Sequence, residues 1–254
     1  MEPFENLIAP FHCIALVSDI HGNLPALQNV HQHALQQGAQ LFFNAGDTVG
    51  YGPFPNECID FIRDNKFFSV IGDYDQKVLA FPQHSQEYLI KKHPLKYLAF
   101  QWAYEHLTQT NIDYLSHLPV THQMTVGQKS IFLTHGSPTD IKAHLGAETS
   151  PQEWQQYQQE TPSDLIITGN THVFHQQIAA NTLFVNPGSV GRQDDGDPRA
   201  SYALLTLDDP ITVSHFRIEY NMTNVSQALE LYNLPQEFMS MFQNGLSLDG
   251  VLKK

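Results

Sequence analysis

Positive charge is what this chain has least of. Lys and Arg number 13 against 26 Asp and Glu in 254 residues, a formal net charge of −13. Nucleic-acid affinity rests largely on basic side chains neutralising phosphates, so binding to a nucleic-acid backbone is not expected. Cysteine is scarce too. Cys13 and Cys58 are the only two, which rules out a disulfide framework and fits reduced thiols in a cytoplasmic protein. The opening stretch MEPFENLIAPFH lacks the basic start and apolar centre of a signal peptide. No apolar run is long enough to cross a bilayer, so no membrane partner is expected. Internal repeats and low-complexity tracts are absent.

Apolar residues make up 41% of the chain, enough for a sizeable core, and a single domain over residues 1–254 is expected. The first part alternates strand-like and helix-like segments. HCIALVSD ends at Asp19; LPALQNVHQHALQQGA then spaces Leu24, Leu27, Val30, Ala34 and Leu35 as a helix face. LFFNAGD ends at Asp47, PNECIDFIRDNK opens a helix on Pro55, and FFSVIGD ends at Asp73. Continuous apolar strands separated by helices imply a buried, largely parallel first sheet. Residues 76–118 read as a helical excursion, with Leu95, Leu98, Ala99, Trp102 and Leu107 on its inner face. SIFLTHG, LIITGNT, TLFVNPGS, ASYALLTL and ITVSHFRI follow closely, predicting a second sheet with antiparallel pairing. Residues 147–162 form a polar helix or excursion. Residues 222–254 read as a helical tail whose last dozen residues fray. His31 and His33 lie on an amphipathic helix and are expected in solvent.

Polar side chains collect where the strands end. The exits carry Asp19 and His21, then Asp47 after Gly46, then Gly72-Asp73-Tyr74-Asp75, then His135 before Gly136, and Gly169-Asn170-Thr171-His172. In open α/β sheets ligands gather beyond the carboxyl ends of strands. Asp19 and His21 stand two apart, so an extended exit points them the same way. One D-x-H or G-D alone is an ordinary surface loop; five such exits in chain order indicate a metal centre. Mixed carboxylate and imidazole donors suit Mn, Fe, Zn or Co better than calcium. In NPGSVGR, Arg192 either holds a substrate phosphate or closes the loop. Asn23 is a candidate for orienting water or phosphate, and Tyr51 for the cleft wall or for loop packing. Arg199 pairs with Asp195 or Asp197.

SDIHGN, NAGDTVGYGPFP, IGDYD, LTHGSP, TGNTH and VNPGSVGRQDDGDPRASYALL together resemble the calcineurin-like metallophosphoesterases, in particular their small prokaryotic phosphodiesterase branch. The resemblance runs from about Cys13 to about Leu207. It implies a four-layer α/β/β/α sandwich with two mixed sheets. It also implies hydrolysis of a small phosphoester by two divalent metal ions that share an aspartate and a bridging hydroxide. Carried onto this chain, the first metal site is Asp19, His21, Asp47 and His172. The second is Asp47, Asp73, His135 and Asn170, with His135 and Tyr74 also near the leaving group.

The chain departs from that family at three positions. G-N-H-[DE] is here Gly72-Asp73-Tyr74-Asp75, and G-H-T-H is Gly169-Asn170-Thr171-His172. A carboxylate at 73 with an amide at 170 makes the second site harder, which favours Mn or Fe over Zn, with Mg or Co also open. The alternatives are a damaged second site with Asp73 in a solvated turn, or His175 replacing the lost imidazole. A phenol at 74 donates a hydrogen bond but is a poor proton shuttle at neutral pH, which favours substrates with good leaving groups. Two further readings stand beside hydrolysis of a small phosphoester. One is a metal-binding protein without turnover, acting as sensor or interaction module; the other is a protein phosphatase of the same superfamily. Oligomeric state is not legible.

Overall fold

A computed structural model describes residues 12–253 of the chain. In chain order the elements are β1 (Cys13–Val17), α1 (Leu24–Gln36), β2 (Leu41–Asn44), α2 (Pro55–Asp64), β3 (Phe68–Ser69), α3 (Asp73–Leu79), α4 (Phe81–Lys91), α5 (Pro94–His106) and α6 (Gln109–Ser116). They continue with β4 (Thr121–Val126), β5 (Lys129–Thr134), α7 (Pro151–Glu160), β6 (Leu165–Ile167), β7 (Phe174–Ala179), β8 (Thr182–Pro187), β9 (Ala200–Thr206) and β10 (Thr212–Ile218). Three helices close the chain: α8 (Met222–Leu231), α9 (Gln236–Asn244) and α10 (Leu248–Leu252).

Two five-stranded sheets pack face to face, ordered β10-β9-β1-β2-β3 and β4-β5-β6-β8-β7. Both are mixed. In the first, β1, β2 and β3 are parallel and β9 and β10 antiparallel; in the second, β5, β6 and β8 are parallel and β4 and β7 run against them. The continuous apolar strands follow from this layering, because strand side chains alternate between faces. Along β1, Ile14 and Leu16 enter the core between the sheets, while Ala15 and Val17 enter the core beneath α1 and α2. Along β6, Leu165 and Ile167 face the inter-sheet core and Ile166 faces Trp154 of α7. Helices, sheet, sheet and helix give the expected four-layer α/β/β/α sandwich. Each fully buried Leu or Ile contributes on the order of 1.5–3 kcal/mol, so these shared cores dominate its stability.

Several expectations are corrected. The strands ASYALLTL and ITVSHFRI return to the first sheet, where β9 pairs antiparallel with β1, rather than joining the second. The third strand keeps only two residues, and Asp73, Tyr74 and Asp75 form the first turn of α3. Strands β4 and β7 were not foreseen; β7 reads FHQQIA at a sheet edge, where polar residues are tolerated on the open face. The tail does not fray. Phe238, Met241, Phe242 and Leu248 are buried against Tyr51 and Trp102, and Lys96 pairs with Asp249 at 2.9 Å. His31 and His33 are half-buried rather than solvent groups, His31 against Phe42, Phe61 and Phe67, and His33 bonded to Tyr202 Oη at 2.7 Å. No helix among the described residues is long and apolar enough to cross a membrane.

Candidate metal centre

The loops at the carboxyl ends of β1, β2, β5 and β6, with the start of α3, converge on one buried spot. Backbone bonds continue from loop to loop past the strands. Asp19 N–H donates to Gly46 O at 2.9 Å, His21 N–H to Asp47 O at 3.0 Å and Gly169 N–H to His135 O at 2.7 Å. Two glycines permit the closest approach. A Cβ on Gly72 would lie 2.1 Å from both the nitrogen and Oδ1 of Asp47, and one on Gly46 would lie 2.6 Å from Gly72 N.

Asp19 and His21 were expected to converge by strand alternation. Instead both take left-handed backbone, at φ 54° and 47°, as do Asp47, Asn170 and His172 at 55°, 67° and 62°. A non-glycine residue in this region carries strain of about 1–3 kcal/mol, and such strain concentrates at functional sites. Here five candidate site residues share it.

Asp19, His21, Asp47 and His172 place one ligand atom each within 4.8 Å of one another, and Asp47, Asp73 and His135 do the same. The groups share Asp47. Its Oδ2 lies 3.7 Å from His21 Nε2 and 3.4 Å from His135 Nε2. His172 Nε2 lies 3.2 Å from Asp19 Oδ1, and His135 Nε2 lies 3.9 Å from Asp73 Oδ1. All six side chains are buried.

Each imidazole is oriented by a backbone carbonyl. His21 Nδ1 meets Val49 O at 3.3 Å, His135 Nδ1 meets Ala45 O at 2.7 Å, and His172 Nδ1 bonds Arg192 O. A carbonyl only accepts, so Nδ1 carries the hydrogen, and in the neutral ring Nε2 turns a lone pair inward. Three buried atoms in the cluster find no hydrogen-bond partner: Asp19 Oδ1, Asp73 Oδ1 and His135 Nε2. Buried polar atoms are rarely left unpaired, and these three point where a cation would be held. The residues therefore fit a pair of divalent ions.

The electrostatics agree. Burial pushes the Asp47 carboxyl up, with Asp73 and Asp19 adding to it against the pull of His135. For His135 burial opposes the charge, but Asp47, Asp19 and Asp73 outweigh it and push the imidazole up to about 10. Burial, His172 and Arg192 hold His21 well below its ordinary value. Protons and carboxylates here balance one another much as a divalent cation would balance them.

The remaining site residues divide. Tyr74 donates its backbone N–H to Asp47 Oδ1 at 2.7 Å, and its hydroxyl meets that of Tyr51 at 2.9 Å. Burial, then Tyr51, raises the Tyr74 phenol well above its ordinary value. Arg192 forms the far wall, with Nη1 on Asp194 at 3.1 Å, Nη2 on His172 Nε2 at 3.0 Å and a buried Nε without partner. Asn170 donates its backbone N–H to Asp19 Oδ2 at 3.1 Å and its amide Nδ2 to Ala143 O at 3.1 Å.

Asn23 does not present its amide to the cleft as expected. Its Oδ1 caps α1 by accepting from Ala26 N–H at 3.2 Å, and Nδ2 donates to Gly191 O at 3.0 Å. His175 lies in β7, stacked 5.7 Å from Trp154 and outside both clusters, so it does not replace the imidazole missing at 170. Asp75 is no solvated group either. It accepts from Val49 N–H and Gly72 N–H, each at 3.0 Å, and burial with Asp47 pushes it up to about 7. Arg199 pairs with Asp197 at 2.6 Å, as expected. Two contributors went unread, while Tyr51, a candidate for the cleft wall, does meet Tyr74 there. Asp194 carries no local signal. Lys77, which pairs with Asp73, stands four residues on and becomes visible only when residue 73 is known to open a helix.

A family model for the calcineurin-like phosphoesterase superfamily domain matches residues 13–210. An uncharacterized protein of Methanocaldococcus jannaschii is 30% identical over 240 residues, covering 88% of this chain and 94% of its own. The phosphodiesterase YfcE of Escherichia coli is 28% identical over 200 residues, covering 77% of this chain and 88% of its own. A metallophosphoesterase structure from Sphaerobacter thermophilus superposes with a TM-score of 0.74 at 26% identity, covering 92% of this chain and 99% of that one.

Proposed function

Because the chain belongs to the calcineurin-like phosphoesterase superfamily, and is thereby a phosphoester hydrolase, we propose that it cleaves a small phosphoester at two divalent cations bridged by Asp47. The observation that carries this reading is the pair of buried clusters sharing Asp47, in which Asp19 Oδ1, Asp73 Oδ1 and His135 Nε2 make no hydrogen bond. Asp19, His21, Asp47 and His172 would hold one ion, and Asp47, Asp73 and His135 the other, with Asn170 at its margin. When bound, such ions supply Lewis acidity toward the phosphoryl oxygens and lower the pKa of water, so that water can attack phosphorus.

The chain's own groups then have distinct tasks. Arg192, clamped by Asp194, offers guanidinium hydrogens to a phosphate oxygen. Tyr74 keeps its proton, because burial holds its phenol far above neutral, and donates one hydrogen bond without shuttling the proton. No buried general acid stands at position 74, so esters with good leaving groups are the natural substrates. The family is metal-dependent; two carboxylates and a single imidazole in the second half-site make Mn(II) or Fe(II) the expected ions. Unpaired Cys13 and Cys58 fit a cytoplasmic setting.

Metal-stripped protein reloaded with Mn, Fe, Zn or Mg and assayed on aryl phosphomonoesters and phosphodiesters tests this reading. The expected result is turnover highest with Mn or Fe and falling steeply for alkyl leaving groups. A zinc optimum would contradict the ligand-hardness argument. Tightly held metal with no turnover on any ester would instead favour a binding module, a reading supported by the amide that stands at residue 170 in place of an imidazole.

A further inference from the structure

Asp73 divides its two oxygens between different partners. Oδ2 accepts from the Lys77 ammonium one helical turn along α3, while Oδ1 is buried, has no hydrogen-bond partner and faces His135 Nε2 at 3.9 Å. Lys77 is held on a second side, with Nζ 4.6 Å from the centre of the Tyr74 ring. A Lys side chain has many rotamers, and these two contacts select one that keeps the ammonium on Asp73 and Tyr74. The ammonium thus sits beside the second half-site, whose carboxylates are Asp47 and Asp73.

We propose that Lys77 is a positioning residue that sets how tightly the second half-site binds its cation. It fixes Asp73 so that only Oδ1 is offered inward, and its positive charge offsets the carboxylate. The half-site at Asp47, Asp73 and His135 has three ligand residues against four at Asp19, His21, Asp47 and His172, and carries the ammonium on Asp73 itself, so it loads second and more weakly. Among the described residues the cation beside the first half-site is Arg192, which pairs with Asp194 and meets His172 Nε2 at 3.0 Å rather than a carboxylate of that half-site; Asp19 and Asp47 meet only imidazoles and backbone N–H groups. This inference rests on the two-cation reading above but does not need turnover.

Calorimetric titration of metal-stripped protein with Mn(II) tests it. The parent is expected to show a tight and a weak class of site. Lys77→Met should tighten the weak class by about tenfold or more and leave the tight class within about threefold, because a like charge near the ion is removed. Lys77→Arg should stay within about threefold of the parent at both sites, because the charge is kept. Asp73→Asn should loosen the weak class by about tenfold, and Asp73→Asn with Lys77→Met should return it toward the parent, since net charge is restored. A Lys77→Met protein, folded by circular dichroism, whose weak class is unchanged or looser overturns the inference. So does a single bound ion in both parent and Lys77→Met, or a double variant no tighter than Asp73→Asn. These outcomes are read from binding alone. An inactive parent that still shows the expected titrations sinks the hydrolytic reading and leaves Lys77 in place.

Discussion

His21 and His172, 151 residues apart in sequence, meet Nε2 to Nε2 at 3.3 Å. Both rings give their Nδ1 hydrogen to a backbone carbonyl, so both Nε2 lone pairs turn into one buried space, where His172 Nε2 also accepts from Arg192 Nη2 at 3.0 Å. Two such nitrogens at this distance call for positive charge beside them, which the Arg192 guanidinium supplies in part and a bound cation would complete. The left-handed backbone at both residues makes the approach possible. The strained backbone of this half-site is held by hydrogen bonds between neighbouring loops, Asp19 N–H to Gly46 O and His21 N–H to Asp47 O among them.

Asp47 joins the two half-sites, and its removal should be felt in both. Asp47→Asn keeps the size and can still accept the Tyr74 N–H, but it loses the shared charge facing His21 and His135. The effect is expected to exceed the roughly 10–100-fold typical of losing an outer partner of a metal ligand. Elemental analysis after gel filtration should find the variant depleted of both ions. Wild-type content would mean that Asp47 is not the bridge.

Gly72 is fixed by contact rather than by backbone angle. In Gly72→Ala the new Cβ falls 2.1 Å from Asp47 N and Oδ1, and the nearest atom that must yield is backbone. Overpacking of this kind costs about 1–3 kcal/mol. The variant is expected to melt several degrees lower and to lose metal affinity together with stability. A protein with unchanged melting temperature and full metal content would show that the loops yield more freely than their hydrogen bonds imply.

Tyr74 titrates too high to act as a base or a proton shuttle near neutrality. Tyr74→Phe should therefore lower kcat/KM by only about two- to tenfold, the worth of one hydrogen bond, and leave the shape of the pH–rate profile between pH 6 and 9 intact. Tyr74→His should raise turnover on alkyl esters more than on aryl esters, because only poor leaving groups need a proton donor. Disappearance of an alkaline limb in the Tyr74→Phe profile would contradict this assignment.

A second pH effect lies outside the two metal clusters. Burial, then Arg217, holds His215 down at about 4, and its ring stacks on Phe174 at 4.0 Å. The unfolded chain binds this proton near pH 6.5, so between pH 6.5 and about 4 the unfolded state carries more protons. His215 thus contributes stability that is complete above pH 6.5 and is lost as pH falls toward 4. His215→Phe keeps the ring stack and removes the titration. Denaturant midpoints compared at pH 7 and 4.5 should fall less in the variant; equal falls would remove His215 from the account.

The first-sheet parallel strands and the site were legible for one physical reason. A strand buried on both faces is written as an apolar run, and the polar residue that ends the run is conspicuous. Asp19, Asp47 and His135 could be read in this way. Strand β7 could not, because an edge strand with an open face reads as FHQQIA, with no apolar run. Nor could the return of β9 to β1, since antiparallel pairing of Cys13 with Thr206 and Leu16 with Ala203 leaves no local trace. At residue 73 the apolar approach FFSVIG masked a helix start whose N-cap is glycine and whose capping carboxylate is Asp75. Reading that turn as a strand exit hid Lys77. Asn23 was misread for the opposite reason: its neighbours in sequence belong to the site, but its amide is used up in capping α1.

Anomalous X-ray scattering from crystals of Mn(II)-saturated protein tests the central claim most directly, because it locates each ion without reference to activity. Two peaks are expected, one among Asp19, His21, Asp47 and His172 and the other among Asp47, Asp73 and His135, with the Asp47 carboxylate between them. A single peak at saturating metal, or a pair of peaks that Asp47 does not bridge, would contradict the account.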